Sequence, residues 1–176
     1  MVFILKNYRL ILRAPEMSDS KTICHFFREE SVKHFNSVNG KACNGIEWIK
    51  SSKKSFSEKS AYNFVIEFKN EIVGGISLKN INKADRNAEL GFWIAKPYRS
   101  KGIAFESVGM ILKFAFKRLN LNRIEARITF PNVPSANFLG RFNFRLEGRL
   151  RQVRHSRKSG WVDENIFSLL KDEFSL

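Results

Sequence analysis

The spacing of apolar residues along the chain predicts alternating strands and helices. Seven stretches are typical of strands, and apolar residues alternate with polar ones most clearly in 8–13, 88–94 and 123–129. The predicted strands cover residues 8–13, 61–68, 72–79, 88–94, 123–129, 144–150 and 161–170. Apolar residues three and four positions apart predict helices at residues 18–30, 46–58, 103–119 and 135–142, whereas residues 31–44 are expected to form a short helix and loops.

The order of these elements predicts the fold class. Strands 61–68 and 72–79 are joined by three polar residues, which is typical of an antiparallel hairpin. Strand 88–94, helix 103–119 and strand 123–129 form a βαβ crossover, and such a crossover makes one strand pair parallel. We therefore expect an α+β (mixed α/β) fold with a mostly antiparallel central sheet of about six or seven strands. Residues 1–176 are expected to form a single domain, as the chain length allows.

Strand 88–94 leads directly into the turn that opens the long helix. Successive side chains of a strand point to opposite faces. One face of this strand is therefore predicted to carry Ala88, Leu90, Phe92 and Ile94, and the other Glu89, Gly91 and Trp93. A carboxylate and an indole thus share the second face.

Composition and charge restrict the class of protein. Of the 176 residues, 43% are hydrophobic and 17 are Phe, which excludes a disordered polyelectrolyte. The formal net charge of +14 favours anionic partners such as nucleotides, nucleic acid or an acidic protein. Residues 1–13 lack the apolar core of a signal peptide, and no apolar run approaches the roughly 18 residues of a membrane span. We expect a cytoplasmic protein without a membrane partner.

The two cysteines do not indicate a metal site or a disulfide framework. Cys24 and Cys43 are isolated, without the paired spacing of zinc ligands. Cys24 is followed by His25, but adjacent residues of a helix do not face each other. Cys24 is therefore expected to be a small packing residue rather than a nucleophile.

The turn after strand 88–94 has the composition of an anion site. Arg99, Lys101 and Gly102 lie together immediately before the long apolar helix. The first amide groups of a helix lack partners within the helix, and the helix dipole adds partial positive charge at the same place. Gly102 allows the backbone to approach a ligand closely.

Several segments in this order resemble the GCN5-related N-acetyltransferase (GNAT) superfamily, and within it the RimJ/RimL-like branch. Residues 99–104, RSKGIA, match the Arg/Gln-x-x-Gly-x-Gly/Ala acetyl-CoA loop of that family, and the resemblance extends over nearly the whole chain. The other matching segments are 88–94 (AELGFWI), 132–135 (NVPS), 144–151 (FRLEGRLR) and 167–170 (FSLL). The resemblance implies a GNAT-like fold whose central strands splay apart.

The resemblance also implies acetyl-CoA as the cosubstrate, without a metal. The loop would bind the diphosphate, the strand before it would offer backbone groups to the pantetheine arm, and the 132–135 turn would lie near the thioester. The implied acetyl-CoA-binding residues are Phe92, Trp93, Ile94, Arg99, Ser100, Lys101, Gly102, Ile103, Ala104, Asn132 and Ser135.

Two residues are candidates for catalysis. Acetyl transfer to an amine requires a neutral amine, a polarised thioester carbonyl and a proton for the thiolate. Glu89 is the candidate general base, acting through water, and the alternative is a strand carboxylate paired with an Arg. Ser135 is implied near the sulfur, although it can instead cap a helix. Many family members carry a thiolate-protonating Tyr where this chain has Leu139, so Ser135, water or no protein group must supply that proton.

A further departure from the family concerns a turn. The family's usual Glu-Lys-x-Gly-Phe is replaced by residues 140–144, GRFNF. Asn143 stands where the family has Gly, and Asn can adopt the left-handed conformation that Gly would supply. We therefore expect the turn to be kept.

The acceptor is less well determined. An α-amine has a pKa of about 7.7–8.0 against about 10.4 for Lys, so its deprotonation costs roughly 3.4 kcal/mol less. Glu89 would therefore suit a protein N-terminus, in line with the RimJ/RimL-like, ribosomal-protein-type resemblance. A small amine, an amino sugar or an antibiotic remains an alternative. Polyamines match a chain of charge +14 poorly unless an acidic pocket exists, and Glu29, Glu30 and Glu47 do not establish one.

Residues 141–158 hold six Arg, one Lys and one acid. The stretch is either a solvated rim or an electrostatic footprint for ribosomal RNA or the 3′-phosphate of coenzyme A. With Leu139, this charge also allows an inactive GNAT-fold module that binds nucleic acid or the ribosome. Trp48 and Trp161 could line an acceptor cleft, but packing is the commoner role. The protein is expected to be a monomer or a homodimer.

Overall fold

The computed structural model describes residues 4–28, 37–38, 41–42, 45–156 and 160–175. The described strands are β1 (Ile4–Lys6), β2 (Leu10–Arg13), β3 (Ser37–Val38), β4 (Lys41–Ala42), β5 (Tyr62–Phe68), β6 (Glu71–Asn82), β7 (Asn87–Ile94), β8 (Arg123–Thr129), β9 (Arg145–Ser156) and β10 (Gly160–Leu170). The described α-helices are α1 (Ser20–Arg28), α2 (Gly45–Glu58), α3 (Ile103–Lys113) and α4 (Val133–Gly140), and α3 continues as a π-helical turn, Phe114–Arg118.

Eight of these strands form one sheet in the order β1-β2-β5-β6-β7-β8-β10-β9, and β3 and β4 form a separate pair. Neighbours in the large sheet are antiparallel except β7 and β8, which are parallel and are joined through α3. The predicted α+β class and βαβ crossover are confirmed, and the sheet has eight strands rather than six or seven.

The additional strand is β1, a three-residue segment too short to show a two-residue period. Asn7 turns the chain between β1 and β2, because its Oδ1 accepts hydrogen bonds from the backbone N–H of Arg9 (2.9 Å) and Leu10 (2.7 Å). An Asx turn of this kind needs one residue of the right type rather than a pattern.

The sequence prediction ends one strand at residue 150 and begins the next at residue 161, so that residues 151–160 were expected to be a basic loop; this expectation is wrong over most of that length. β9 runs on to Ser156, where it pairs with Gly160 at the start of β10. β9 is the edge strand of the sheet, and edge strands tolerate charged residues that would interrupt a buried one. Residues 157–159 lie outside the described part.

Two other boundaries differ from the sequence prediction. Within residues 31–44, the described pieces are the short strands β3 and β4, and not a helix; the rest of that segment lies outside the described residues. α4 begins at Val133, two residues before the predicted start, because Asn132 caps it. A Pro in the first turn of a helix is well tolerated, so Pro134 does not delay the start.

Helices cover both faces of the sheet. α3 and α4 contribute Val108, Ile111 and Leu139 to the larger apolar core, together with sheet residues such as Phe64 and Leu90. On the opposite face, α1 and α2 form a smaller core with sheet residues Val65 and Trp93; its helical members are Ile23, Phe26, Phe27 and Ile49. None of the helices in the described ranges has the length and apolar character needed to cross a membrane.

Candidate active site

The sheet opens between two of its inner strands, β7 and β8. β7 stays paired with β6 from Asn87 to Ile94, whereas its parallel pairing with β8 ends at Leu90, opposite Ala126. Beyond that point β8 continues beside β10 as far as Thr129. A strand edge without a neighbour presents its N–H and C=O groups to a ligand. The predicted splay is thus confirmed, and it lies at residues 91–94, which include the predicted Phe92, Trp93 and Ile94.

The predicted anion loop lies at the end of the same strand. Gly102 is the N-cap residue of α3 with φ 76° and ψ −7°, and Ser100 also has a positive φ, 59°. In the described structure no side chain caps this end of α3. The first-turn amide groups, from Ile103 and Ala104 onward, therefore remain for a ligand. A helix N-terminus with a glycine at close approach fits the diphosphate of acetyl-CoA.

Arg9 holds this loop in place and was missed by the sequence analysis. Its Nε donates to Glu106 Oε1 at 2.9 Å, and its Nη2 donates to the backbone oxygen of Lys101 at 2.9 Å and also contacts Glu106 Oε1. The Nδ2 of Asn7 donates to Glu106 Oε2 at 2.9 Å. The turn between β1 and β2 is thereby tied to the first turn of α3. Arg9 and Glu106 are 97 positions apart, so no local pattern could reveal the pair.

This ion pair also sets the charge beside the loop. The hydrogen bond from Arg9 lowers the pKa of Glu106, with a smaller contribution from Asn7, and the same bond to Glu106 raises the pKa of Arg9. A carboxylate in the first turn of α3 would repel a bound diphosphate. Arg9 offsets that repulsion because its guanidinium neutralises Glu106.

Of the two predicted loop cations, Arg99 turns back toward β7. Its Nε donates to the backbone oxygen of Ile94 at 2.9 Å, at the open end of the strand. The Nζ of Lys101 lies 5.3 Å from the ring centroid of Tyr98. Both side chains are exposed. Both side chains can therefore reach a diphosphate bound at the loop, and this contact stays a prediction.

Glu89 lies on the other face of β7 from the larger core, as alternation predicted. It is opposite Lys79 of β6 and beside Glu125 of β8. Its Oε2 accepts a hydrogen bond from Asn80 Nδ2 at 3.2 Å. Arg123, the arginine of the neighbouring strand, binds Glu125 (3.0 Å) and Glu147 instead. The alternative of an Arg–Glu89 pair therefore finds no support in the contacts described.

A narrow cleft adjoins Glu89 on this face. Its volume is about 20 Å³, and its lining residues are Trp48, Asn63, Gly75, Ile76, Ser77, Lys79, Gly91 and Trp93. The indole of Trp93 packs over Gly75, where an added Cβ would lie 2.7 Å from Nε1. Trp93 is 7% exposed and also contacts Phe26, with ring centroids 5.2 Å apart. Trp48 and Trp93 thus belong to both the packing and the cleft wall.

The 132–135 turn reaches the open segment of β7 through α4. Asn132 is the N-cap residue of α4, and its Oδ1 accepts a hydrogen bond from the backbone N–H of Ser135 at 3.2 Å. The alternative that Ser135 itself caps the helix is therefore wrong. Phe138, three residues after Ser135 and on the same side of the helix, packs on Phe92 with ring centroids 5.1 Å apart. The turn, α4 and the splayed strand are thus brought together.

Two departures from the family pattern have clear structural roles. Leu139 is 2% exposed and belongs to the larger core, so it is a packing residue. Asn143 has φ 63°, which confirms that it takes the left-handed conformation expected of Gly. The turn before β9 is therefore kept.

Most of the described arginines in the 141–158 stretch have local partners. Arg145 binds Glu173, Arg149 binds Asp163 and Arg154 binds Glu164. Arg141 lies over the ring of Phe105, 4.4 Å from its centroid. Trp161 is 63% exposed, contacts His155, and is not among the described residues that line the cleft. This pairing reduces the positive field that an RNA footprint would need.

Cys24 is a packing residue, as predicted. It is half-buried in α1, and its Sγ accepts a hydrogen bond from the backbone N–H of Gly45 at 3.0 Å. An added Cβ on Gly45 would lie 2.9 Å from that sulfur. Cys24 therefore helps to join α1 to α2. Cys43, Glu29 and Glu30 lie outside the described residues.

The sequence relatives of this chain are named as N-acetyltransferases. The "Uncharacterized N-acetyltransferase p20" of Bacillus licheniformis is 28% identical over 176 residues, covering 97% of this chain and 98% of the relative. The "Putative ribosomal N-acetyltransferase YdaF" of Bacillus subtilis is 29% identical over 99 residues, or 56% of this chain and 54% of the relative. The spermidine N(1)-acetyltransferase of Vibrio cholerae is 26% identical over 156 residues, or 82% and 83%.

Solved structures share the fold. A probable acetyltransferase superposes with a TM-score of 0.87 at 23% identity, covering 98% of this chain and 99% of that one. Spermidine N-acetyltransferase from Vibrio cholerae, in complex with CoA and spermine, has a TM-score of 0.83 at 23% identity and covers 95% and 98%. A family model of the acetyltransferase (GNAT) domain matches residues 9–145, which include the splayed strand, the anion loop and the Asn132 turn. The chain therefore belongs to the GNAT acetyltransferase family.

Proposed function

We propose that this enzyme transfers the acetyl group of acetyl-CoA directly to a primary amine, and that the acceptor is a protein N-terminal α-amine. The observation that carries the proposal is the opening of β7 from β8 at residues 91–94, immediately before the uncapped start of α3. The open edge of β7 can pair with the amide groups of the pantetheine arm, and the start of α3 that follows it can bind the diphosphate.

Each part of the site has a proposed role toward acetyl-CoA. Residues 99–104 hold the diphosphate, with Arg99 and Lys101 supplying positive charge and the amides of α3 donating hydrogen bonds. The backbone of residues 92–94 binds the pantetheine arm. Asn132 fixes the turn that carries Ser135, and acetyl-CoA supplies the activated acetyl group.

The proposed chemistry moves two protons. The acceptor nitrogen attacks the thioester carbonyl carbon, so that a C–N bond forms and the C–S bond breaks. Glu89 takes the proton that the amine loses, directly or through water, and Ser135 or water protonates the departing thiolate. Because Leu139 is buried in the core, it takes no part in this step.

The choice of an α-amine follows from its acidity. An α-amine loses its proton about 2.5 pKa units more readily than a lysine side chain, so a carboxylate base suffices more easily. The relative named "Putative ribosomal N-acetyltransferase YdaF" supports the same choice. Small amines are the second candidate, because spermidine acetyltransferases are also relatives.

Binding and turnover test the proposal separately. Calorimetric titration with acetyl-CoA should show one site, and acetyl-CoA at 100 times Kd should raise the free energy of unfolding by about 2.7 kcal/mol. Thiol release with peptides of free and blocked N-terminus should occur only with the free amine, and intact mass should show one added acetyl group. Absence of acetyl-CoA binding, or transfer to lysine side chains in preference to α-amines, would contradict the proposal.

An RNA-binding role through residues 141–158 is tested in the same preparation. Binding that weakens steeply with salt is expected of a phosphate-binding surface. Because Arg145, Arg149 and Arg154 are already paired with carboxylates, we expect only weak RNA binding at physiological salt. Tight salt-dependent binding without acetyl-CoA binding would favour the inactive binding module instead.

A further inference from the structure

A lysine lies on the floor of the cleft beside Glu89. The Nζ of Lys79 is 3.3 Å, and its Cε 3.4 Å, from the position that a Cβ on Gly91 would occupy. Ser77 Oγ lies 3.4 Å from the same position and donates to the backbone oxygen of Gly91 at 3.4 Å. The absence of a side chain at Gly91 thus leaves space for the ammonium group of Lys79 between β6 and β7.

Lys79 is the charged member of the cleft lining. The other described lining residues are two tryptophans, Asn63, Ser77, Ile76 and two glycines. Glu89 faces Lys79 from the opposite register position of β7, and Arg154 approaches it from β9. Burial lowers the pKa of Lys79, Glu89 counteracts this and Arg154 adds to it.

Arg154 forms an ion pair on this side of the cleft. It is held by Glu164 at 2.7 Å and by the hydroxyl of Thr129. Glu164 is 8% exposed, so its charge is directed to Arg154 rather than to a ligand. Among the described groups, Lys79 and Glu89 are therefore the two charges that face the cleft, and the charge of Arg154 is offset by Glu164.

We propose that the cleft selects an acceptor amine that carries an anionic group, a carboxylate or a phosphate, close to the amine, and that Lys79 binds this group. This inference rests on the proposed function and specifies its acceptor. An anion beside the amine pairs with Lys79 while the amine points to Glu89. A polyamine would instead place a second ammonium against Lys79, and like charges at such short range repel strongly in a partly desolvated site.

The small volume of the cleft determines how close the two groups must be. About 20 Å³ accommodates roughly one water-sized group. One oxygen of the anionic group enters the cleft and reaches Lys79, the amine lies at the entrance beside Glu89, and the rest of the acceptor lies outside the cleft. An N-terminal peptide with an acidic second residue and a phosphorylated amino sugar are the two sources of such an anionic amine.

The test uses the full-length protein and matched acceptor pairs. The pairs are peptides beginning Ser-Asp and Ser-Asn, and glucosamine 6-phosphate and glucosamine, with spermidine as the polycation. Each is assayed for acetyl-CoA-dependent thiol release with the wild type, Lys79→Met, Lys79→Glu and the control Lys83→Gln, which alters an exposed lysine in the β6–β7 turn. Unfolding temperature and acetyl-CoA affinity establish that each variant is folded.

The wild type and Lys83→Gln should prefer one anionic member of a pair over its neutral partner by at least about tenfold in kcat/KM. Lys79→Met should abolish this preference, and Lys79→Glu should favour spermidine. If only the peptide pair shows the preference and its loss in Lys79→Met, the anion is a carboxylate; if only the amino-sugar pair does, the anion is a phosphate. Equal use of spermidine and anionic acceptors by the wild type, or an unchanged preference in Lys79→Met, would overturn the inference.

A binding measurement separates this inference from the proposed function. Glucosamine 6-phosphate and a Ser-Asp peptide are titrated into the protein in the presence of CoA, without turnover. If no acceptor releases thiol, the proposed function fails, yet weaker binding of these anionic ligands by Lys79→Met would still support the site. Binding that is absent, or that is the same in Lys79→Met and wild type, would refute it.

Discussion

Arg9, in the turn immediately before β2, neutralises Glu106 in the first turn of α3 and at the same time hydrogen-bonds the backbone of Lys101. One side chain therefore controls both the charge and the position of the anion loop. Gly102 is part of this arrangement, because a Cβ there would lie 3.1 Å from Arg9 Nη2.

Replacing Arg9 by Met should weaken acetyl-CoA binding. Glu106 would then lie unneutralised at the helix N-terminus that we propose binds the diphosphate, and charge effects at a helix end predict about two- to fivefold weaker binding. Calorimetric titration measures the affinity, and Glu106→Gln in the Arg9→Met background should recover part of it. If the double variant binds no better than Arg9→Met, the role of Arg9 is positional rather than electrostatic.

Gly102→Ala should both destabilise the protein and weaken acetyl-CoA binding. Its φ of 76° lies in the left-handed region, which costs a residue with a Cβ about 1 to 2 kcal/mol. Gly140→Ala is the matched control, because an added Cβ there meets no atom within 4 Å. Thermal unfolding with and without acetyl-CoA compares the two variants, and equal effects would show that the loop conformation is unimportant.

Glu89→Gln should retain acetyl-CoA affinity and lose turnover by about a hundredfold. The loss should be greatest at low pH, because at high pH more of the acceptor amine is already neutral. Glu125→Gln, which alters the neighbouring carboxylate on β8, serves as control and should follow the wild-type pH profile. A uniform loss at every pH, or none, would assign Glu89 a structural role.

Substitutions at Asn132 and Ser135 should distinguish a role in capping α4 from a role in catalysis. Asn132→Ala removes the side chain that caps α4 and should cost about 1 kcal/mol of stability. Ser135→Ala keeps that hydrogen bond, because the donor is the backbone N–H of Ser135. It should therefore leave stability unchanged and lower turnover. If turnover also stays at the wild-type level, water rather than Ser135 protonates the thiolate.

The buried ion pair between Arg13 and Asp19 should contribute to acid sensitivity. Its N–O distance is 2.8 Å, and the Asp19 side chain is 7% exposed. Burial opposes ionisation of Asp19, but hydrogen bonds from Arg13 and the Glu16 backbone N–H lower its pKa on balance, below the ordinary 3.8. A carboxyl group with a lowered folded-state pKa contributes stability that is present above 3.8 and is lost as pH falls through the folded pKa.

Asp19→Asn should therefore destabilise the protein at pH 7 by about 2 kcal/mol, because it removes the charged hydrogen bonds between Arg13 and Asp19, although Arg13 still pairs with Glu67 at 2.8 Å. The deficit should shrink below pH 3.8. Denaturant unfolding at several pH values measures it, with Glu58→Gln, from an exposed pair with Lys54, as a control of little effect. A deficit that persists unchanged at low pH would exclude the ion pair as its cause.

The local parts of the site could be predicted from the sequence. The loop around Gly102 and the face of β7 that carries Glu89 depend on neighbouring residues, since a glycine before an apolar helix and a two-residue alternation are local signals. The Asn143 turn was predictable for the same reason. The residue that caps α4 could not be predicted, because Asn132 and Ser135 are both good capping residues. Only the observed start of the helix distinguishes them.

The contacts that complete the site depend on tertiary structure. Lys79 faces Glu89 because of the register between β6 and β7, and a shift of one residue would have placed it on the other face. Arg9 reaches Glu106 because the turn before β2 lies against the start of α3, 97 residues later in the chain. Local spacing therefore determined the loop and the strand face of the proposed acetyl-CoA site. Strand register and helix packing, which join residues far apart in sequence, decided which charges surround the proposed donor and acceptor sites.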